Sequence, residues 1–195
     1  MVLNELEYVI VDEKVKITNC INKDIVHIEI PDTIEGYPVV LIGAEAFSFC
    51  KELRRVVLPD NLLEISSSVF QGCIKLQRIT LPNSVQYVYH CAFYDCSSLK
   101  TVRLSDNLLE IGICAFYNCK SLRSIIIPDS VKCIKDDAFK NCNWMNKVIF
   151  KSIEAPIVAP NTLVNLKKCT VYIPKNATGY DKGYWKYLKI KKLRD

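Results

Sequence analysis

Phe47, Phe70, Phe93, Phe116 and Phe139, together with Cys50, Cys73, Cys96, Cys119 and Cys142, form two series that step by 23 residues without a slip. Leu53, Leu76, Leu99, Leu122 and Met145 keep the same phase, as do Val56, Ile79, Val102, Ile125 and Val148. A third apolar column follows at Leu58, Leu81, Leu104, Ile127 and Phe150. So short a unit cannot bury its own apolar row. A fixed period of this length therefore confines the chain to stacked, near-identical coils that close one another's core.

Each unit can be read from its residue types. Leu53-Arg54-Arg55-Val56-Val57-Leu58 ends in alternation, the pattern of a short strand with one buried face. Pro59 stops the ladder and starts a turn. Asn61 and its equivalents Ser84, Asn107 and Ser130 are small polar residues suited to satisfying backbone groups inside that turn. The return segment, such as Ala115-Phe116-Tyr117-Asn118-Cys119, is predicted to make one or two helical turns, with Phe and Cys sharing the inward face. Stacking places the strands in a parallel sheet, ~4.8 Å apart.

The phrase IGAEAFSFCKELRRVVLPDNLLEI, starting at Ile42, and its four successors resemble the BspA-type leucine-rich repeat. The resemblance spans residues 42–151. Ile30–Val39, with its Gly36-Tyr37-Pro38 insertion, is similar to the leading segment of that family. Val171-Tyr172-Ile173-Pro174 followed by Gly183-Tyr184-Trp185 is similar to its terminal segment. The resemblance implies an α/β repeat solenoid: a right-handed coil, a parallel β-sheet on the concave face and short helical turns on the convex face. It also implies a secreted or cell-surface binding protein. The alternatives are a cytoplasmic scaffold and a passive spacer.

One domain is expected over residues 1–195. Residues 1–41 form the N-terminal cap and first coil, 42–151 the five repeats, and 152–195 an irregular C-terminal cap with a basic tail. Leu6, Tyr8 and Ile10, then Val15 and Ile17, alternate around Asp12-Glu13-Lys14 and predict a capping β-hairpin. Tyr180, Tyr184, Trp185 and Tyr187 are expected to seal the last coil. The N-terminal MVLNELEYVIVDEK lacks a basic stretch followed by an apolar one, so no signal peptide is expected in it. No apolar run approaches the ~18 residues of a membrane span, and no membrane insertion is expected.

The net charge of +5 sits in residues 175–195, which hold seven Lys/Arg and two Asp/Glu, while the rest carries 19 of each sign. Nucleic acid is therefore not the expected partner. The cysteines of the repeat phase are expected to be buried free thiols. Cys91 and Cys114, with Cys96 and Cys119, make a C-x4-C pair on successive coils. A four-thiolate zinc site is conceivable there, but the repeat already accounts for Cys96 and Cys119. No metal and no cofactor are expected, and a Cys91–Cys114 bond is left open. His27 and His90 stand on different coils, Asp136-Asp137 reads as a solvated turn, and no phosphate-binding motif is present. No enzyme is expected.

The alternate strand residues must face solvent. These are His27 and Glu29, Arg55 and Val57, Arg78 and Thr80, Thr101 and Arg103, Ser124 and Ile126, and Lys147 and Ile149. Arg54, Gln77, Lys100, Arg123 and Asn146 flank them. The expected binding surface is thus basic: Arg54, Arg55, Arg78, Lys100, Arg103, Arg123 and Lys147. Its expected partner is an acidic protein segment or an anionic glycan, bound by a monomer.

Overall fold

The computed structural model describes residues 2–193; Met1, Arg194 and Asp195, at the limits of the expected domain, lie outside it. The chain winds as a solenoid whose coils have three sides. The first side carries the expected strands: His27–Glu29, Arg55–Val57, Arg78–Thr80 and Thr101–Arg103 form one parallel ladder. Ser124–Ile127, Lys147–Phe150, Thr170–Ile173 and Lys189–Lys192 form the next. The last of these strands lies in the segment read as a basic tail. It pairs in register with its predecessor, Lys189 opposite Thr170 and Lys191 opposite Tyr172.

The second side is a parallel sheet that the repeat pattern does not predict. Lys14–Cys20, Tyr37–Ile42, Glu64–Ile65, Tyr87–Val88, Glu110–Ile111, Cys133–Ile134 and Ile157–Val158 pair in succession. Most of these strands are two residues long, too short for alternation to register. The expected hairpin is present: Leu6–Val11 pairs antiparallel with Lys14–Cys20 through a turn at Asp12 and Glu13, φ 49° and 57°. It extends the edge of this second sheet.

The third side corrects the expectation of convex helical turns. Residues 45, 49, 68, 72, 91, 95, 114, 118, 137 and 141 all have φ between 53° and 70°. Two left-handed residues per coil, four apart, break a right-handed helix. The backbone instead turns tightly and bonds the next coil: the Phe47, Phe70, Phe93 and Phe116 N–H groups donate to Val69, Ala92, Ala115 and Ala138 at 2.8–3.0 Å. Among the described residues the one α-helix is Pro160–Asn165.

The predicted inward columns are all buried, and the five repeat phenylalanines are at most 1% exposed. Their rings stack face to face from coil to coil, with centroids 5.1–5.7 Å apart. The turn residues act as expected in three coils. Ser84 Oγ donates to Asp60 and Leu62 carbonyls, Asn107 Nδ2 to Asn83 and Ser130 Oγ to Leu108, at 2.6–2.9 Å. Ser105, at the phase where Pro59, Pro82 and Pro128 stand, is fully buried and satisfied. It donates to the Asn83 carbonyl and accepts from the Asn107 N–H.

At the C-terminal end Tyr180 and Trp185 close over Phe150 with edge-on rings, centroids 4.8–5.9 Å apart, and are buried as expected. Tyr184 and Tyr187 are exposed and take no part in the seal.

Candidate ligand-binding face

The first side places its residues as alternation requires. His27, Arg55, Arg78, Thr101, Ser124 and Lys147 occupy one exposed column, and each is opposite the next within its ladder. Glu29, Val57, Thr80 and Arg103 form the parallel column, continued on the second ladder by Ile126, Ile149 and Tyr172. Arg54, Lys100 and Arg123 are exposed along the flank. There the backbone runs coil to coil, Gln77 N–H donating to Arg54 and Lys100 N–H to Gln77.

These basic groups are not equivalent. Over the first coils Arg54, Arg55, Arg78 and His27 line a shallow groove of about 700 Å³, whose floor is Val56 and Ile79 and whose far rim is Asp60. Among the described residues Arg54, Arg55, Arg78, Lys100 and Arg103 form no ion pair. The salt bridges lie elsewhere, at Lys75–Glu52, Lys135–Glu110, Lys140–Asp137 and Lys151–Asp106. Arg123 is already engaged over the Trp144 ring at 5.6 Å, and Lys147 over Tyr172 at 5.0 Å. The free guanidinium groups are thus concentrated at the N-terminal half of the sheet.

Two residues of this face lie in the segment expected to form a basic tail. Lys189 and Lys191 are exposed and extend the same two columns beyond Thr170 and Tyr172. Their signal in the sequence was Ile190, half-buried between them as an inward strand residue would be. A charge run with one apolar member in alternation is a strand edge more than a solvated tail.

The cysteines divide into two environments. Cys73, Cys96, Cys119 and Cys142 are fully buried, and each thiol donates to the carbonyl of a phenylalanine on the preceding coil at 3.1–3.2 Å. Burial pushes all four thiols up, Cys73 and Cys142 to about 12. Cys96 and Cys119 therefore point into the core, away from the half-exposed Cys91 and Cys114, and the four do not converge. Cys91 and Cys114 lie side by side on adjacent coils, and burial raises both. His90 bonds Ser67 at 2.9 Å, far along the coil from His27 on the strand face, and Asp137 pairs with Lys140 at 3.0 Å. Among the described residues no group of three or more His, Cys, Asp or Glu is arranged to hold a metal ion. No helix among them is long and apolar enough to cross a membrane.

A family model described as the BspA type leucine rich repeat region matches residues 14–146 in 6 copies. Among solved structures, a leucine-rich repeat protein of T. pallidum is similar with a TM-score of 0.73 and 32% identity, over 77% of this chain and 73% of that one. One from Bacteroides capillosus ATCC 29799 is 28% identical with a TM-score of 0.50, over 75% of this chain and 94% of that one. One from Bacteroides ovatus ATCC 8483 shares the fold at 22% identity and a TM-score of 0.54, over 86% and 66% of the two chains. No curated protein matches the chain in sequence.

Proposed function

Because the chain belongs to the BspA-type leucine-rich repeat family, whose repeats generally serve as binding or scaffold modules, we propose that it is a non-enzymatic recognition module whose strand face binds a carboxylate- or sulfate-bearing partner. The partner is an acidic protein segment or an anionic glycan. The observation that carries this reading is the cluster of unpaired Arg54, Arg55 and Arg78 around one groove, with Arg103 on the next coil. Guanidinium groups present fixed donor forks to planar or tetrahedral anions, and they lose less on desolvation than ammonium groups do. Val56 and Ile79 beneath them exclude water from the floor and strengthen those contacts. BspA-type repeat proteins are often extracellular, and a secreted or surface-attached setting is part of the proposal.

The test is binding of a sulfated oligosaccharide and of an acidic peptide to three proteins. These are the wild type, an Arg55→Glu/Arg78→Glu/Arg103→Glu variant, and a Lys189→Glu/Lys191→Glu variant. The arginine variant is expected to lose at least about tenfold in affinity, equivalent to ~1.4 kcal/mol. The lysine variant should lose less, since those groups lie at the far end of the sheet. Binding should also fall as salt rises, because exposed charges are screened beyond ~8 Å at physiological ionic strength. Unchanged binding by the arginine variant refutes the proposal.

A further inference from the structure

The second sheet carries a site of different chemistry. The positions that follow its strands in register run Gly43, Ser66, Tyr89, Gly112 and Lys135 from coil to coil. Gly43 and Ser66, small and on consecutive coils, lie at the floor of a shallow hollow. The Lys16 side chain lies across the Gly43 end of it: a Cβ on Gly43 would meet Lys16 Cε at 3.0 Å and the Ile17 carbonyl oxygen at 3.2 Å. Tyr89 walls the other end, 38% exposed, with its ring stacked on Tyr87 at 6.0 Å and 22°. The hollow measures about 290 Å³.

Its polar groups are set around that aromatic wall. Ser66 Oγ donates to Glu64 Oε1 at 3.2 Å, which orients the carboxylate at the rim. Ser67 Oγ is held by His90 Nδ1 at 2.9 Å. Burial, then the Glu64 charge, push the Tyr89 phenol up. Glu64 and Glu110 lie in register on either side of Tyr87, which makes this rim unfavourable to anions. The other sheet has the opposite character.

A pyranose ring offers one C–H face to stack on an aromatic ring and an equatorial fringe of hydroxyls that both donate and accept. A ring wall, a carboxylate acceptor, an ammonium donor and a hydroxyl within one ring-sized hollow answer both requirements. We propose that the hollow between Lys16 and Tyr89 is a subsite for one neutral pyranose unit of a glycan, stacked on Tyr89 and hydrogen-bonded to Glu64, Lys16 and Ser67.

The test is an amide-shift titration of the intact chain with neutral trisaccharides of glucose, mannose, xylose and N-acetylglucosamine, each to about 10 mM, within the range for a single shallow subsite. At least one sugar is expected to move the amides of Gly43, Ser66 and Tyr89 saturably. Tyr89→Ala should weaken that binding at least about tenfold and Tyr89→Phe much less, since the ring is what stacks. A thermal melt of each variant confirms folding, and Glu64→Gln supplies a second loss that leaves the aromatic pair intact. Added salt and the triple arginine reversal should leave this binding unchanged, so its failure is separable from failure of the strand-face reading. The proposal is overturned if no sugar moves those amides, or if Tyr89→Ala and Glu64→Gln bind as wild type does.

Discussion

The Cys96 thiol donates to the carbonyl oxygen of Phe70, one coil earlier, at 3.1 Å. The same oxygen already accepts the Cys73 N–H at 3.2 Å. The bond recurs from Cys73 to Phe47, from Cys119 to Phe93 and from Cys142 to Phe116. The cysteine column is thus more than small apolar filling. A thiol is compact enough for the core and carries a weak donor for a carbonyl that has a second lone pair to offer.

These thiols should resist alkylation in the native protein and react on denaturation, with mass spectrometry reading the modified positions. They also predict an alkaline limit to stability. Burial raises Cys73 and Cys142 from an ordinary 9.0 to about 12. The folded state therefore holds their protons more tightly than the unfolded chain does. Their contribution is complete below pH 9 and is lost as pH rises toward 12, by up to ~1.4 kcal/mol per pH unit for each thiol. Denaturant melts from pH 8 to 11 should show the decline, shallower in Cys142→Ala. Stability that is flat across this range would contradict the assignment.

Phe93 stacks between Phe70 at 5.5 Å and Phe116 at 5.1 Å, with no exposed surface. Phe93→Ala removes a ring shared by three coils, and should cost ~3–5 kcal/mol from lost transfer energy and the cavity left behind. Urea unfolding measures it. A loss below about 1 kcal/mol would mean that the coils collapse around the gap.

Gly112 is required by a close backbone approach. A Cβ there would stand 2.7 Å from the Tyr89 carbonyl carbon and 2.8 Å from both His90 N and Val88 O. Backbone atoms inside a coil-to-coil ladder cannot swing aside as a side chain can. Gly112→Ala is expected to destabilise by ~1–3 kcal/mol, the usual range for overpacking. A melting temperature equal to wild type would show that the coils separate more freely than their hydrogen bonds suggest.

Cys91 and Cys114 are neighbours across the gap between two coils, where Cys91 N–H donates to Ile113 at 2.9 Å. Oxidised glutathione should convert this pair, and not the buried column, to an intramolecular disulfide, each bond formed reducing one glutathione disulfide to two thiols. Both thiols are raised by burial, so the reaction should be slow at neutral pH and quicker above it. Peptide mapping detects the cross-link. Mixed disulfides at both positions without closure would show that the pair does not come into bonding geometry.

The core was legible from the sequence because every coil repeats its demand: a slip of one residue would expose Phe70 or Cys73, so the period is kept. The strand face was legible for the complementary reason, since inward Val56 and Ile79 determine where Arg55 and Arg78 point. The third side was not. Phe and Cys three apart fit a helical turn and a tight turn equally well. The left-handed positions hold Glu45, Phe49, Ser68 and Cys91 as well as Asn118 and Asn141, with glycine only at Gly72, so glycine does not mark the series. The Tyr89 hollow was hidden because the positions that follow the strands of the second sheet do not repeat. Its strands of two residues leave no alternation to count.

Lys189–Lys192 ends its ladder, with Thr170–Ile173 as its only partner among the described strands. Its outer row of peptide groups is a template on which a second chain could continue the solenoid. Lysine at three of the four positions sets like charge against like wherever two such ends meet, a common guard on unpaired sheet edges. The residues that lengthen the basic face thereby also set two such edges against pairing with each other.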